Sequence, residues 1–375
     1  MISRRHLLAT LPAAAFVSSC ATSPKLFDSL TGFPSAPISP SLPSGALEKI
    51  ALTSCSNPTR GLEMFDLVRA QRPELLLMLG DNVYGSANPT DPELADLRAA
   101  YTKMAASREF RDLVSTVPTQ AIWDDHDFGI NDGGSDFAHK ALAQRMFNSF
   151  WNVPKNDIMR TRAGNYRAFM MGPIGQRTQV ILLDTRTFRD PLIPTDVRGA
   201  PGKERYLPHA IGAEADILGM DQWRFLEAEL KKPADVRIIA SSIQVVADGH
   251  GYECWAMFPR RRTQLYDLIA QTQAKGVVFV SGDRHHGSIN RTNTNTPYAF
   301  TDFTSSAINM PSRLTPGSTV VTEASTTRVG DGYGPENFGI LKLDWSARKL
   351  GFNLMGAGGT PVLNHTVPFA EIGLI

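Results

Sequence analysis

Short apolar runs recur along this chain, and most of them stop abruptly in a cluster of polar residues. The clearest is Leu75-Leu-Leu-Met-Leu79, an unbroken apolar run that predicts a strand buried on both faces rather than one with a solvated side. Similar runs predict strands over residues 49–54, 119–123, 166–171, 179–183, 236–240 and 277–280. Between them the apolar positions recur at helical spacing, over 62–71, 92–114, 137–150, 220–230 and 260–274. Pro92 suits a first helical turn, where its missing N–H costs nothing. Strands alternating with helices imply a layered α/β fold. Segments 339–354 and 361–369 read as further strands that close a second sheet, and no internal repeat is visible.

The polar clusters that end these runs carry the candidate chemistry. In Ala121-Ile-Trp-Asp-Asp-His-Asp-Phe-Gly-Ile-Asn-Asp132, four acids crowd around His126. Such acids repel one another unless something positive lies among them, and a bound metal is the obvious candidate. The bland alternative is a solvated acidic loop. Three more clusters follow strands in the same way: Thr53-Ser-Cys-Ser-Asn57, Gly80-Asp-Asn-Val-Tyr84 and Ser281-Gly-Asp-Arg-His-His286. Each has an ordinary reading alone, since a single cysteine usually packs as a small hydrophobe and Gly-Asp is common turn chemistry. Their shared position at strand ends is what matters, because open α/β sheets present their sites there. Cys55, Asp81, Tyr84, Asp125, Asp283 and His285, with Asn131 as a neutral oxygen donor, form a mixed donor set. It suits a hard trivalent or divalent ion beside a calcium-like one.

Composition adds an address rather than a chemistry. The 375 residues are 42% hydrophobic and 20% charged with a net charge of +1, which gives no reason to expect a nucleic-acid-binding surface. Ser3-Arg4-Arg5-His6-Leu7-Leu8 is a twin-arginine pattern followed by a short apolar segment, so residues 1–20 read as an export signal handled by the twin-arginine machinery. Val17-Ser-Ser-Cys20 resembles a lipobox, whose processing would leave Cys20 lipidated and tethered to a membrane; cleavage near Ala13-Ala-Ala15 is the rival. Residues 21–46, rich in Ser and Pro, read as an extended linker, and 47–375 as the folded domain. A periplasmic or cell-envelope location is the expectation. With Cys20, Cys55 and Cys254 as the cysteines, no disulfide framework is available.

Taken as an ordered set, the motifs resemble the PhoD-like branch of the metallophosphatases, the alkaline phosphatase D family. The elements are Ser54-Cys-Ser56, Gly80-Asp-x-x-Tyr84, Trp123-Asp-Asp-His-Asp-Phe-Gly-x-Asn-Asp132, Leu183-Asp-Thr-Arg-x-x-Arg-Asp190, Ser242-x-Gln244, Trp255-x-x-Phe-Pro259 and Ser281-Gly-Asp-Arg-His285. The resemblance implies a four-layer α/β/β/α sandwich of two mixed sheets and a dinuclear centre of Fe3+ and Ca2+ acting on phosphate mono- or diesters. It implies Cys55 and Tyr84 on iron, Asp81 as bridge, Asp125, Asp283 and His285 as further ligands, and Asn131 as an additional one. His126 would contact the phosphate or leaving group, and Gln244 would replace a superfamily histidine ligand. Asp124, Asp127 and Asp132 then stand behind the ligands.

The implied reaction is in-line hydrolysis by a metal-bound hydroxide. Arg284, Arg186 and Arg189 are candidates for gripping the phosphate, His250 and His286 for lining the mouth, and Trp123, Trp255 and Phe258 for an apolar wall. Two rivals remain: a phospholipase-D-like phosphodiesterase acting on lipid head groups, and a non-catalytic metal- or phosphate-binding lipoprotein. His126 favours catalysis, because a binder does not need a proton donor beside the ligand.

Overall fold

The structure, a computed structural model, describes residues 30–312 and 316–374. The export signal and Cys20 lie outside the described residues. The elements in order are β1 (Lys49–Thr53), α1 (Met64–Ala70), β2 (Leu75–Leu79), α2 (Ala95–Ala106), α3 (Arg108–Thr116), β3 (Thr119–Ile122), α4 (Asp125–Phe128) and α5 (Lys140–Phe150). They continue as β4 (Arg167–Met171), β5 (Thr178–Leu182), β6 (Ile193–Pro194), β7 (Tyr206–Leu207), α6 (Gly219–Leu230), β8 (Val236–Ser241), α7 (Pro259–Gln271) and β9 (Val277–Ser281). The last strands are β10 (Gly287–Thr292), β11 (Phe300–Ser305), β12 (Val320–Val321), β13 (Gly332–Tyr333), β14 (Asn337–Asp344), β15 (Lys349–Gly356) and β16 (Pro361–Pro368).

Two mixed sheets organise the domain. Among the described residues one runs β16-β15-β14-β1-β2-β3 and the other β12-β13-β10-β11-β9-β8-β5-β4. In the first, β1, β2 and β3 are parallel, with Leu52 opposite Leu77 and Met78 opposite Ala121. In the second, β5, β8, β9 and β11 are parallel, with Ser241 opposite Ser281. The apolar runs over 49–54, 75–79, 119–123, 179–183, 236–240 and 277–280 lie in these parallel cores, whereas 166–171 forms the half-exposed edge strand β4, antiparallel to β5.

The sheets pack face to face. Ile50, Leu52, Leu75, Leu77 and Leu79 meet Val180, Leu182, Ile238, Val278 and Val280 in one apolar cluster. Leu76 and Met78, on the opposite face of β2, are buried as well, so this strand is covered on both sides as its unbroken run requires. On the outer face of the second sheet, Ile181, Ile239, Val277 and Phe279 are covered by Trp223 and Leu226 of α6 and by Leu265 and Ile269 of α7. Truncating a fully enclosed residue such as Leu77 to alanine removes about 2–5 kcal/mol.

Three expectations change. The helical stretch over 92–114 is two helices, because Ser107 turns extended (φ −66°, ψ 129°) and its hydroxyl accepts the Phe110 N–H at 3.4 Å, a capping geometry that serine favours over a helix interior. The C-terminal strands join the first sheet, not a second, since β14 pairs antiparallel with β1. The second sheet is extended instead by β10 to β13, whose polar residues left no apolar run to read. From Phe33 on, the Pro-rich segment carries no helix or strand but lies along the domain: the Ala36 N–H donates to the Phe150 carbonyl at 2.8 Å, and Phe33 meets the Tyr101 ring edge-on.

Candidate active site

Parallel pairing brings the carboxyl ends of β1, β2 and β3 to one edge of their sheet, and the turn after β9 meets them from the other. The meeting is close. A side chain at Gly282 would place its Cβ 2.4 Å from the Ser54 hydroxyl and 2.8 Å from the Leu79 carbonyl, so only glycine lets the two sheets' turns touch. Cys55, Asp81, Asp283 and His285 all adopt left-handed backbone (φ 58°, 50°, 68° and 56°). For residues with a Cβ this costs about 1–2 kcal/mol each, and such strain gathers where geometry serves a site.

Asp81 is the centre of the cluster. Its Oδ2 accepts from the Cys55 thiol at 3.4 Å and from the Tyr84 hydroxyl at 3.2 Å, while its Oδ1 accepts the His126 backbone N–H at 3.3 Å. Tyr84 also lies 3.2 Å from His285 Nε2, and its ring is 4.1 Å from that of His126. Two groups of donor atoms, each within 4.8 Å of one another, result: Cys55, Asp81 and His285, and Asp81, Asp125 and His126. Asp81 belongs to both.

Charge in the cluster is unbalanced. Burial, reinforced by Asp125 and Cys55, drives the Asp81 carboxyl well above the usual carboxylate range, and burial lifts Asp283 to about 7 against the pull of Arg284. Burial likewise raises the Cys55 thiol and the Tyr84 phenol and lowers His126 and His285. Asp125 is also buried, but His126 and Arg186 hold it below the ordinary value. Its Oδ2 accepts the Asp132 N–H at 2.7 Å, whereas its buried Oδ1 has no hydrogen-bond partner among the described residues. An acid set forced toward protonation, with an orphaned inward oxygen and thiol, phenol and imidazole donors beside it, is what a multivalent cation would relieve. The residues fit a metal centre.

Asn131 is exposed on the turn after α4. Behind the candidate ligands, Asp127 accepts the backbone N–H groups of Asn82 and Asp124 at 3.1 and 3.0 Å, tying the turn after β2 to the turn after β3. Asp124 is fully buried against Arg186, whose Nε lies 2.6 Å from Asp124 Oδ1, with Ser242 on the same oxygen at 2.6 Å. Arg186 also reaches Glu253 Oε2 at 2.7 Å, and Arg189 Nε reaches Glu253 Oε1 at 2.8 Å.

This network corrects several expectations. Arg186 and Arg189 cannot grip phosphate, because both are enclosed and occupied by Asp124, Glu253 and the backbone carbonyls of Gly133 and Asp132. Trp123, Trp255 and Phe258 are core, not wall; Trp255 donates to the Ser241 hydroxyl at 3.0 Å. His250 and His286 are buried rather than at the mouth, and Gln244 is engaged by Thr304 at 2.8 Å and His250 at 3.1 Å. Arg284 remains beside Asp283 at 3.4 Å, held by Glu323 and lying 3.9 Å over the Tyr252 ring. Sequence reasoning missed Ser306, which is 3.2 Å from the Cys55 sulfur and accepts the His285 N–H, as well as Glu253 and Glu323. Ser306 follows a polar strand and the glutamates sit in irregular loops, so no pattern flagged them.

The model of the PhoD-like phosphatase family matches residues 50–349. No curated protein matches the chain. In fold the chain is similar to the solved structure of PhoD, with a TM-score of 0.65 at 14% identity, covering 87% of this chain and 69% of that one. It is also similar to the crystal structure of a dimetal phosphatase from Danio rerio, with a TM-score of 0.50 at 13% identity, covering 86% and 99%. The family match spans the four turns that build the cluster, from Cys55 to His285, so the chain belongs to the PhoD-like phosphatases and is a metal-dependent hydrolase of phosphate esters.

Proposed function

We propose that the protein is an exported alkaline phosphatase or phosphodiesterase of the cell envelope, working with iron and calcium at the Asp81 cluster. The sharing of Asp81 between two donor groups carries this reading, since a carboxylate facing two sets of ligands suits a bridged pair of ions. Cys55, Tyr84 and His285 supply the softer and phenolic donors that suit iron, with Asp283 beside them. The oxygen-rich side around Asp125 suits calcium, with Asn131 as a further oxygen donor. Bound there, the ions acidify the attacking water and neutralise charge on the phosphoryl oxygens.

The protein's own groups orient the ester and handle the proton. His126 is fixed through Nδ1, 2.5 Å from the Ser86 hydroxyl, which leaves Nε2 to serve the leaving group. Burial lowers its pKa, and the nearby Asp125 opposes that pull, favouring the imidazolium that gives its Nε2 proton to the leaving group. Arg284, anchored by Glu323, adds positive charge on the Asp283 side. The twin-arginine pattern and the lipobox-like Cys20 support export and a membrane tether. Among the described residues no helix is long and apolar enough to cross a membrane.

Elemental analysis of protein purified without added metal, paired with assays on a simple monoester, a simple diester and phosphatidylcholine, tests the proposal. Iron and calcium together with turnover of the simple esters are expected. Turnover of phosphatidylcholine alone would favour the lipid-directed rival, and turnover of none would sink both.

A further inference from the structure

Arg186 and Arg189 are enclosed and Arg284 is held by Glu323 and Asp283, so each of these arginines is already committed to a carboxylate. A further cation is supplied from outside the motifs. The segment joining β6 to β7 returns toward the cluster at Arg205, whose Nη1 donates to Asp132 Oδ2 at 2.9 Å. The Asp132 N–H in turn holds Asp125 Oδ2, so this guanidinium is one residue removed from the candidate metal ligand. Arg205 Nε and Nη2 have no hydrogen-bond partner among the described residues, and the side chain is 39% exposed. Its guanidinium carbon lies 5.5 Å from the Tyr252 ring, the ring that Arg284 covers at 3.9 Å. It lies near enough to the cluster for its charge to be felt at His285 and for that of Asp283 to be felt at Arg205.

The placement is built, not incidental. The N–H groups of Arg205 and Tyr206 both donate to the Gly251 carbonyl, at 2.8 and 2.7 Å, and the Gly251 N–H donates to Glu204 at 2.6 Å. A Cβ on Gly251 would lie 2.2 Å from the Glu204 backbone nitrogen, so the hairpin seats against this loop only because residue 251 is glycine. The Tyr206 hydroxyl shares Asp132 Oδ2 at 2.6 Å, fixing the carboxylate that aims Arg205.

We propose that Arg205 is a substrate-binding residue, using the two nitrogens that Asp132 leaves free to take non-bridging oxygens of the phosphoryl group, with Tyr252 as the surface on which its guanidinium rests. This rests on the phosphoester reading of the same site. A planar fork held by one carboxylate is preorganised for a second anion. The family motifs do not contain it, since Arg205 comes from the hairpin between two of them.

Titration of the metal-loaded protein with inorganic phosphate, for wild type, Arg205→Gln and Arg205→Lys, tests the assignment alongside monoester and diester kinetics. Arg205→Gln is expected to weaken phosphate binding about ten- to a hundredfold, the loss of a charge-assisted hydrogen bond, and to raise KM more than it lowers kcat. Arg205→Lys should recover part of the affinity but not all of it. Unchanged phosphate affinity in Arg205→Gln with metal content intact overturns the assignment, and so does a fall in melting temperature with KM unmoved. A wild-type protein that binds phosphate through Arg205 yet hydrolyses no ester would overturn the catalytic reading while leaving this one standing.

Discussion

Asp81 and His126 sit within hydrogen-bond reach of each other, through a backbone N–H, and yet have separable jobs. Asp81→Asn keeps the shape and removes the charge that both donor groups share, so elemental analysis should find bound metal depleted and turnover lost together. His126→Ala leaves Cys55, Asp81, Asp283 and His285 in place. It should retain metal on the Cys55 side while kcat falls about 10²–10⁴-fold, the range of a missing proton donor. Equal metal loss in both variants would instead make His126 a ligand, which its place in the second donor group permits. At this scale most of the cluster was legible, because Cys55, Asp81, Asp125, Asp283 and His285 each follow an apolar run directly. Asn131 was the least legible: its identity suits ligation, but identity says nothing about which way a turn faces.

Among the elements, the turn after β3 depends on partners far along the chain. Asp124 and Glu253 are buried and meet Arg186 between them, so Arg186→Gln would leave two carboxylates enclosed with one guanidinium fewer. Removing one partner of such a network costs about 3–5 kcal/mol, which a denaturant midpoint would register as a large shift. Activity should fall as well, because Asp124 immediately precedes the candidate ligand Asp125. The sequence placed Arg186 and Arg189 at the phosphate because arginines beside a strand end suit anions. It could not show that the anions facing them were Asp124 and Glu253 rather than a substrate, since the pairing spans residues from three loops. The same limit hid β10 to β13 and the β6–β7 hairpin: polar or two-residue strands are set by their neighbours in the sheet, not by their own pattern.

The whole molecule adds a dependence on pH that no single site reports. Burial pushes His250 down to about 4. The unfolded chain binds that proton with a pKa near 6.5, so stability is fully present above about 6.5 and is lost as pH falls toward about 4, by about 3 kcal/mol across the window. Unfolding midpoints at neutral and mildly acidic pH should show this loss, and His250→Gln should lessen it. His286, also buried and pushed to about 4, supplies a second contribution with the same sign.

The close approach at Gly282 has a wider meaning. The donors Cys55, Asp81 and Asp125 hang from one sheet, and Asp283 and His285 from the other. Any ion gripped by both sets is therefore a cross-link between the two halves of the sandwich. Its binding energy is also cohesion, added by mass action to the apolar contact between the sheets. Supply of metal thus governs how firmly the protein holds together as well as whether it turns over substrate, and a chain starved of its ions is at once inactive and easier to unfold.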